Sequence, residues 1–76
     1  MLEQVKEIIC EYVEVDPSEI HEESRFIEDL GFTSFDFMSM VGEFEDTFDI
    51  EVREEDVVHV KTVGEAIEYV KKLQAE

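Results

Sequence analysis

The chain has 76 residues, and 22 Asp and Glu against 6 Lys and Arg give it a formal net charge of −16. A chain of this length makes a single domain, residues 1–76, and its charge excludes nucleic acid and favours basic proteins as partners. Its lone cysteine, Cys10, excludes an intrachain disulfide, and no apolar run is long enough for membrane insertion. We therefore expect a cytoplasmic globular monomer.

The first predicted element is a helix over residues 2–14, because apolar residues recur there at helical spacing. Pro17 ends it, since a proline disfavours helical geometry at Asp16. A loop over residues 15–33 follows, and loops of this length are usually pinned to the core or functional. We expect four apolar side chains to pin it: Ile20, Phe26, Ile27 and Leu30.

The second predicted helix begins after Thr33, the expected N-cap, with Asp36 three residues later in a pattern that resembles a capping box. One arc of the helix, about 100° wide, forms the expected core face. Its residues are Phe37, Met40, Val41, Phe44 and Phe48. Phe35, Met38 and Gly42 share a neighbouring arc on the Ser34 side, where large apolar groups indicate a partner surface or a widened core.

Two further helices are predicted near the end of the chain. The acidic segment over residues 53–58 is expected to form a single helical turn, and the last helix begins at a capping box, Thr62-x-x-Glu65. Strand-like alternation does not occur. The predicted fold class is all-α: a small four-helix bundle of three longer helices and one short third helix, with a long loop between helices 1 and 2.

Ser34 is the candidate functional residue, although nothing near it in sequence could activate it as a nucleophile. A nucleophilic serine needs a base within reach, and His21 and His59 lie in polar acidic segments that we interpret as solvated. We therefore predict no catalytic residue and no enzyme activity. Cys10 and the histidines lack the paired spacing of a metal site, so we predict no specific metal site and interpret Cys10 as a packing residue. From local features alone, Ser34 is a helix-start serine, although residues 28–56 around it hold eleven acids and one base.

The stretch FIEDLGFTSFDFMSMVGEFEDTFDIEV, residues 26–52, resembles the acyl carrier proteins. Their usual pattern is Phe-x-x-Asp-Leu-Gly-x-Asp-Ser-Leu, followed by an apolar helix and then Phe-x-Ile-x-Ile or similar. The resemblance covers the chain end to end, including its length, its acidity and its capped last helix. The matching residues are Phe26, Asp29, Leu30, Gly31 and Ser34, and then Phe48, Ile50 and Val52 after the helix.

The resemblance implies that a separate carrier-protein synthase attaches 4′-phosphopantetheine from coenzyme A to Ser34, which makes the chain a phosphoprotein. The thiol of this arm would carry acyl intermediates as thioesters for fatty acid, polyketide or related specialised biosynthesis in lipid metabolism. A helix N-terminus suits the phosphodiester, because its free N–H groups favour an anion. Residues expected to line a space that shelters the acyl chain are Val41, Phe44, Ile67 and Val70.

The resemblance also implies that acids of the second helix and of the segment after it dock basic patches on the synthase and on acyl- or aminoacyl-processing enzymes. We expect Glu45 and Asp46 to point away from the core, and Phe35 and Met38 to form an apolar patch beside Ser34. The full set of expected partner-binding residues is Thr33, Phe35, Met38, Glu43, Glu45, Asp46 and Glu54.

Three positions depart from the family pattern and indicate a specialised carrier. Thr33 replaces the Asp that ordinarily helps the synthase and its metal, Phe35 replaces Leu, and Ser39 replaces a mid-helix acid.

Two alternative functions remain open at this point. One is a peptidyl or aminoacyl carrier protein, and the other is an acidic protein-interaction module that lacks the arm.

Overall fold

The computed structural model describes residues 2–75, and its regular elements are helical. Helix α1 spans Leu2–Cys10, α2 spans Ser34–Phe48, α3 spans Glu54–Val57 and α4 spans Val63–Ala75. A short 3₁₀ turn, Pro17–Glu19, lies in the connection between α1 and α2. Within residues 2–75 the extended pairing is a single antiparallel bridge between Arg25 and Thr62. The predicted all-α bundle with a short third helix and a long first connection is confirmed.

One hydrophobic cluster holds α1, α2, α4 and the first connection together. Each member is at most 8% exposed, and burying an aliphatic or aromatic side chain of this size contributes about 1.5–3 kcal/mol. The cluster consists of Val5, Ile8, Ile9, Ile20, Phe26, Leu30, Phe32, Met40, Phe44, Phe48, Val63, Ala66, Ile67 and Val70. Of the expected α2 core face, Met40, Phe44 and Phe48 are buried, whereas Phe37 and Val41 are only half-buried.

Helix α1 ends at Cys10, four residues before the predicted end. The Glu11 N–H donates to Ile8 O (3.1 Å) and the Tyr12 N–H donates to Ile9 O (3.0 Å), so the last turn tightens to i→i−3 bonds. Two physical reasons favour this early end. Glu11 and Glu14 place negative charge at the negative end of the helix dipole, and the Tyr12 hydroxyl donates to Glu43 of α2 (2.9 Å).

The long connection is pinned to the core, although one of its four expected anchors is wrong. Ile20, Phe26 and Leu30 are buried, but Ile27 is 53% exposed because it lies in the middle of a turn whose end carries Leu30 into the core. In that turn the Leu30 N–H donates to Arg25 O at 3.0 Å. Phe32 is the anchor that the sequence analysis missed; it is 2% exposed and its ring packs on Phe26 with 5.5 Å between centroids.

The connection also contacts the start of α4, which fixes its position relative to the rest of the bundle. The Gly64 N–H donates to Glu22 O (2.8 Å), and a Cβ at Gly64 would lie only 3.1 Å from that oxygen, so glycine permits the close approach. The capping box predicted at this end is confirmed. The Glu65 N–H donates to Thr62 Oγ1 (3.2 Å) and the Thr62 N–H donates to Glu65 Oε1 (3.1 Å).

The two histidines and the lone cysteine have the surroundings that the sequence predicts. His21 and His59 are exposed, as predicted. Cys10 is half-buried against the hydrophobic cluster, and its thiol lies 3.5 Å from Val15 O, which confirms the packing role. No helix within residues 2–75 is long and apolar enough to cross a membrane.

Candidate functional site

Ser34 is the first residue of α2 and is exposed. The preceding Thr33 has extended backbone geometry, and its Oγ1 accepts the Asp36 N–H at 3.0 Å, so the predicted N-cap is confirmed. The Thr33 carbonyl also accepts the Phe37 N–H at 2.9 Å. The cap therefore fixes where the helix begins, and it places the Ser34 side chain on the first turn.

The turn that leads to Ser34 is built by the residues that carry the family resemblance. Asp29 Oδ2 accepts the Arg25 N–H (2.8 Å), which closes the turn, and Phe26 and Leu30 anchor its two ends in the core. Gly31 has φ +81°, a conformation that L side chains rarely adopt. These residues hold the backbone that presents Ser34 at the start of α2.

A groove of about 820 Å³ begins at Ser34. Its walls are the turn over residues 25–28, the first turns of α2, and the segment from α3 to the start of α4. Much of the lining is apolar, from Phe26, Ile27, Phe37, Met38, Val57, Val58 and Val60. Polar groups, including Arg25, Glu28 and Lys61, also border the groove.

Arg25 is paired with Glu28 at the groove, and both side chains are more than half exposed. The hydrogen bond to Glu28 and the charge of that carboxylate raise the pKa of Arg25, so its guanidinium stays protonated. Because exposed ion pairs of this kind typically contribute only about 0–1 kcal/mol, the pair affects the charge at the groove more than the stability of the fold.

Apolar side chains around Ser34 are exposed to solvent. Phe35 is 80% exposed and Met38 is 47% exposed, which confirms that the arc beside the core face is a surface. Ile27 and Val58, at 53% and 66% exposed, extend this surface across the groove. The sequence analysis missed these two residues, since they follow from the fold of a turn and of α3 and leave no periodic signal. We call these four residues the apolar rim.

The acids that the sequence predicts as partner-binding residues divide into two groups, those that are exposed and those that also hold the fold. Asp46 and Glu54 are exposed. Glu45 is half-buried and its Oε2 accepts the Val52 N–H (3.1 Å), so the expectation that it simply points away from the core is wrong. It reaches back to the segment that follows α2 and holds that segment on the helix.

Glu43 is also part of the structure, because its Oε1 accepts the Tyr12 hydroxyl. Burial, and then the hydrogen bond to Glu43 and its negative charge, raise the pKa of Tyr12 to about 12. The same carboxylate raises the pKa of the exposed Glu11 through a side-chain hydrogen bond. Glu43 therefore joins the end of α1 to α2, in addition to its surface charge.

The interior space predicted to shelter a chain is very small. A cavity of about 20 Å³ lies between α2, α3 and α4, and Val41, Phe44 and Val70 line it as expected. Ile67 was expected there but is not one of its lining residues; it is 5% exposed and packs in the hydrophobic cluster. A cavity of this size holds roughly one water molecule, so the core as folded does not contain room for an acyl chain.

The histidines do not line the groove. His21 and His59 are exposed on the connection and after α3, outside the lining of the groove. Among residues 2–75 no three His, Cys, Asp or Glu side chains are grouped so that they could hold a metal ion. What the described site offers chemically is an accessible hydroxyl on the N-terminal turn of a helix, beside an apolar groove.

Comparisons with known proteins find relatives that match nearly the whole chain. A family model described as a phosphopantetheine attachment site matches residues 3–70. The acyl carrier protein of Phenylobacterium zucineum (strain HLK1) is 38% identical over 72 residues, which is 95% of this chain and 91% of that protein. The acyl carrier protein of Sulfurovum sp. (strain NBC37-1) is 37% identical over 73 residues, 96% of this chain and 97% of that protein.

The fold is similar to that of a solved acyl carrier protein from Enterococcus faecalis, which is described for its high thermal stability. The TM-score is 0.83 at 29% sequence identity, and the match covers 95% of this chain and 91% of the other. Family, length and fold therefore agree over nearly the whole chain.

Proposed function

The chain belongs to the acyl carrier proteins, whose cofactor is phosphopantetheine, and from that premise we propose that Ser34 is the residue that carries the arm. The observation that carries this proposal is the position of Ser34. It is exposed on the first turn of α2, it borders the groove, and it stands at the serine position of the family pattern.

The first turn of α2 fits a phosphodiester. Thr33 accepts the N–H groups of Asp36 and Phe37, which leaves the N–H groups of Ser34 and Phe35 to face an anion. The positive end of the helix dipole favours negative charge at the same place. The arm supplies the thiol on which acyl groups are carried as thioesters. The protein itself contributes the hydroxyl and the helix end, and a separate synthase removes the hydroxyl proton.

We propose that the apolar rim and nearby acids form the surface that partner enzymes contact. Phe35 and Met38 lie within the first turns of α2 with Ser34, and Asp46 and Glu54 provide exposed negative charge further along α2 and at the start of α3. An apolar centre with a charged edge suits short-lived complexes, because charge speeds the encounter and apolar contact sets the orientation. Glu43 and Glu45 add charge while they hold the fold, and Thr33 acts through the cap.

The comparisons favour acyl cargo over the two alternatives. The curated relatives are named acyl carrier proteins, which supports acyl rather than aminoacyl or peptidyl groups. The match to a phosphopantetheine attachment site over residues 3–70 speaks against an interaction module that lacks the arm. We propose a role as a carrier without catalytic activity of its own. Its cytoplasmic location and monomeric state stay predictions from the sequence.

The attachment site is tested by intact mass. The protein is incubated with coenzyme A, Mg²⁺ and a broad-specificity carrier-protein synthase. The wild type and Ser39→Ala should each gain one phosphopantetheine, and Ser34→Ala should gain none. If Ser34→Ala still gains the arm, Ser34 is not the attachment residue, and Ser39 becomes the next candidate.

The partner surface is tested by separating binding from stability. Met38→Ala should weaken synthase binding and leave the melting temperature nearly unchanged. Phe44→Ala removes a core ring and should cost about 3–5 kcal/mol of unfolding free energy. Asp46→Lys should slow association with the synthase and weaken its salt dependence; it is a cleaner variant than Glu45→Lys, which would also release Val52. A loss of stability in Met38→Ala as large as in Phe44→Ala would place Met38 in the core and overturn this surface.

A further inference from the structure

The groove at Ser34 and the small interior cavity are separated by three side chains. Phe37, Val57 and Val60 are the residues that line both spaces. Ser34, Ile27 and Val58 line only the groove, whereas Met40, Phe44 and Val70 line only the interior. We call Phe37, Val57 and Val60 the partition. The partition is where the two spaces adjoin, so an acyl chain that enters the interior from the groove passes it.

Phe37 is the largest member of the partition, and its neighbours hold it in place. Its ring centroid lies 5.2 Å from that of Phe26, at an interplanar angle of 55°. Phe26 is 1% exposed and its ring also packs edge-on against Phe32, so it provides a fixed wall behind Phe37. Aromatic pairs at this separation attract each other beyond the area that they bury. The contact with Phe26 therefore stabilises the position of the Phe37 ring.

Val57 is held from the other side by α4. The Tyr69 hydroxyl donates to Asp56 Oδ2 (2.8 Å) and accepts the Arg53 N–H (3.3 Å), so one hydroxyl bonds to both ends of the turn that precedes Val57. Val57 itself is 6% exposed. Displacing it would break these bonds and expose the apolar contacts of α3.

We propose that Phe37 determines where the cargo lies: it closes the interior and keeps the acyl group of the loaded arm in the groove. This rests on the attachment of the arm to Ser34. The volumes differ by a large factor, about 820 Å³ for the groove and about 20 Å³ for the interior. The interior holds roughly one water molecule, so entry of several methylene groups requires the partition to open, and Phe37 is its largest member. A medium-length acyl chain therefore stays at the surface, beside the apolar rim.

The test locates the terminal methyl group of the acyl chain directly. Wild type, Phe37→Leu and Phe37→Ala are loaded with an octanoyl arm whose terminal methyl group is labelled with ¹³C, and nuclear Overhauser contacts of that methyl are measured. In the wild type they should involve Ile27 and Val58. In the Phe37 variants they should shift to Met40 and Val70. Phe48→Leu is the matched control, because Phe48 is a buried ring of the same helix that lines neither space; its contacts should match the wild type.

Two outcomes would overturn the proposal. Contacts to Met40 and Val70 in the wild type would show that Phe37 is no barrier, and contacts that remain at Ile27 and Val58 in both Phe37 variants would show that another residue closes the interior. Intact mass reports separately whether the arm is on Ser34. If it is not, the same measurement is made with an octyl group attached as a disulfide to Ser34→Cys in a Cys10→Ala background, so the role of Phe37 is decided either way.

Discussion

Asp29 illustrates how a residue of the serine motif can act at a distance from the chemistry. Its carboxylate accepts the Arg25 N–H and closes the turn that carries Phe26 and Leu30 into the core. Gly31 then adopts φ +81°, and the chain enters α2 at the correct point. Ser34 is presented by this backbone, so the pattern encodes a turn and a helix start as much as a modification site.

Substitutions of Thr33 separate its effect on stability, through the helix cap, from its effect on the rate of phosphopantetheine transfer. Thr33→Ala removes the acceptor of the Asp36 N–H and should lower the free energy of unfolding by about 0.5–2 kcal/mol. Thr33→Asp keeps a cap acceptor and should leave stability nearly unchanged, while it speeds phosphopantetheine transfer by restoring the acid that the family usually has. Urea unfolding and the rate of mass gain measure the two effects. An unchanged rate in Thr33→Asp would show that Thr33 does not limit the modification.

At the residue scale, helical periodicity predicted the exposure of Phe35 and Met38, because a side chain on a regular helix has a direction fixed by its position. The expectations for Glu45 on the same helix and for Ile27 in the first connection were wrong. The partner of Glu45 is the backbone of Val52, seven residues further on and outside the helix. Ile27 lies in a turn, where no period relates sequence position to direction. Both outcomes depend on how the chain folds back, which a local pattern does not contain.

Among the elements, α3 depends most on its neighbours. It has four residues, and its N-cap residue, Arg53, makes no side-chain cap bond. Isolated helices of this length do not form in water, because nucleation is unfavourable. The Tyr69 hydroxyl of α4 accepts the Arg53 N–H instead and donates to Asp56. Burial is the main cause of the raised pKa of Tyr69, so this hydroxyl stays protonated and able to donate.

Tyr69→Phe should loosen α3 while the rest of the bundle stays folded. A hydrogen bond of this kind contributes about 0.5–1.5 kcal/mol net, so the Val57 amide should exchange with solvent roughly two- to tenfold faster. Amide hydrogen exchange followed by NMR measures this. Tyr12→Phe is the matched control, since it removes the hydroxyl bond between α1 and α2 and should leave α3 unchanged. Equal protection of Val57 in wild type and Tyr69→Phe would show that apolar packing alone holds α3.

Helix α4 gives a pH-dependent prediction. The Lys61 and Thr62 N–H groups donate to Glu65, and these bonds lower the pKa of its carboxyl below the ordinary 4.5. A lowered pKa means that the stabilisation is present above that ordinary value and is lost as pH falls through the folded-state value. Glu65→Gln should therefore be less stable than wild type at neutral pH, and the difference should disappear in acid. Urea unfolding from neutral pH into acid measures the difference in the free energy of unfolding between wild type and Glu65→Gln.

Glu68→Gln is the control for this pH effect, because Glu68 is exposed on the same helix and lies outside the capping box. It should change stability little at either pH. A difference between wild type and Glu65→Gln that persists in acid would mean that the shape of the side chain, and not its charge, stabilises the cap.

The ends of the helices show which boundaries a sequence can predict. The starts of α2 and α4 were predicted correctly because their caps, Thr33 and Thr62, bond to residues three positions on. The end of α1 was predicted four residues too late. Glu11 and Glu14 place negative charge at this end of the helix and favour an early stop. The contact of Tyr12 with Glu43, which is 31 residues away, also contributes, and it leaves no local signal.

At the scale of the whole molecule, the net charge is −16, and most of the 22 acids have no Lys or Arg to balance them, since the chain has only 6. Within residues 2–75 the ion pairs are Arg25–Glu28 and Arg53–Glu55, and the side chains of both are more than half exposed. Such pairs contribute about 0–1 kcal/mol each. The radius of gyration of the fold is only 11.3 Å, so acids on different elements repel each other over short distances. The negative charge attracts basic partners, and the repulsion among the acids opposes the compact state.

The melting temperature should therefore rise from low salt to physiological salt. The Debye length falls to about 10 Å at 0.1 M salt, which is comparable to the radius of gyration, so added ions screen repulsion across the whole fold. Millimolar Mg²⁺ or Ca²⁺ should raise it again, because a divalent ion lowers the potential of clustered carboxylates more strongly than a monovalent ion at equal ionic strength. Calorimetry at matched ionic strengths, with Na⁺ as the control, separates screening from the divalent effect. A melting temperature that does not respond to either salt would show that repulsion among the acids does not limit the stability of this fold.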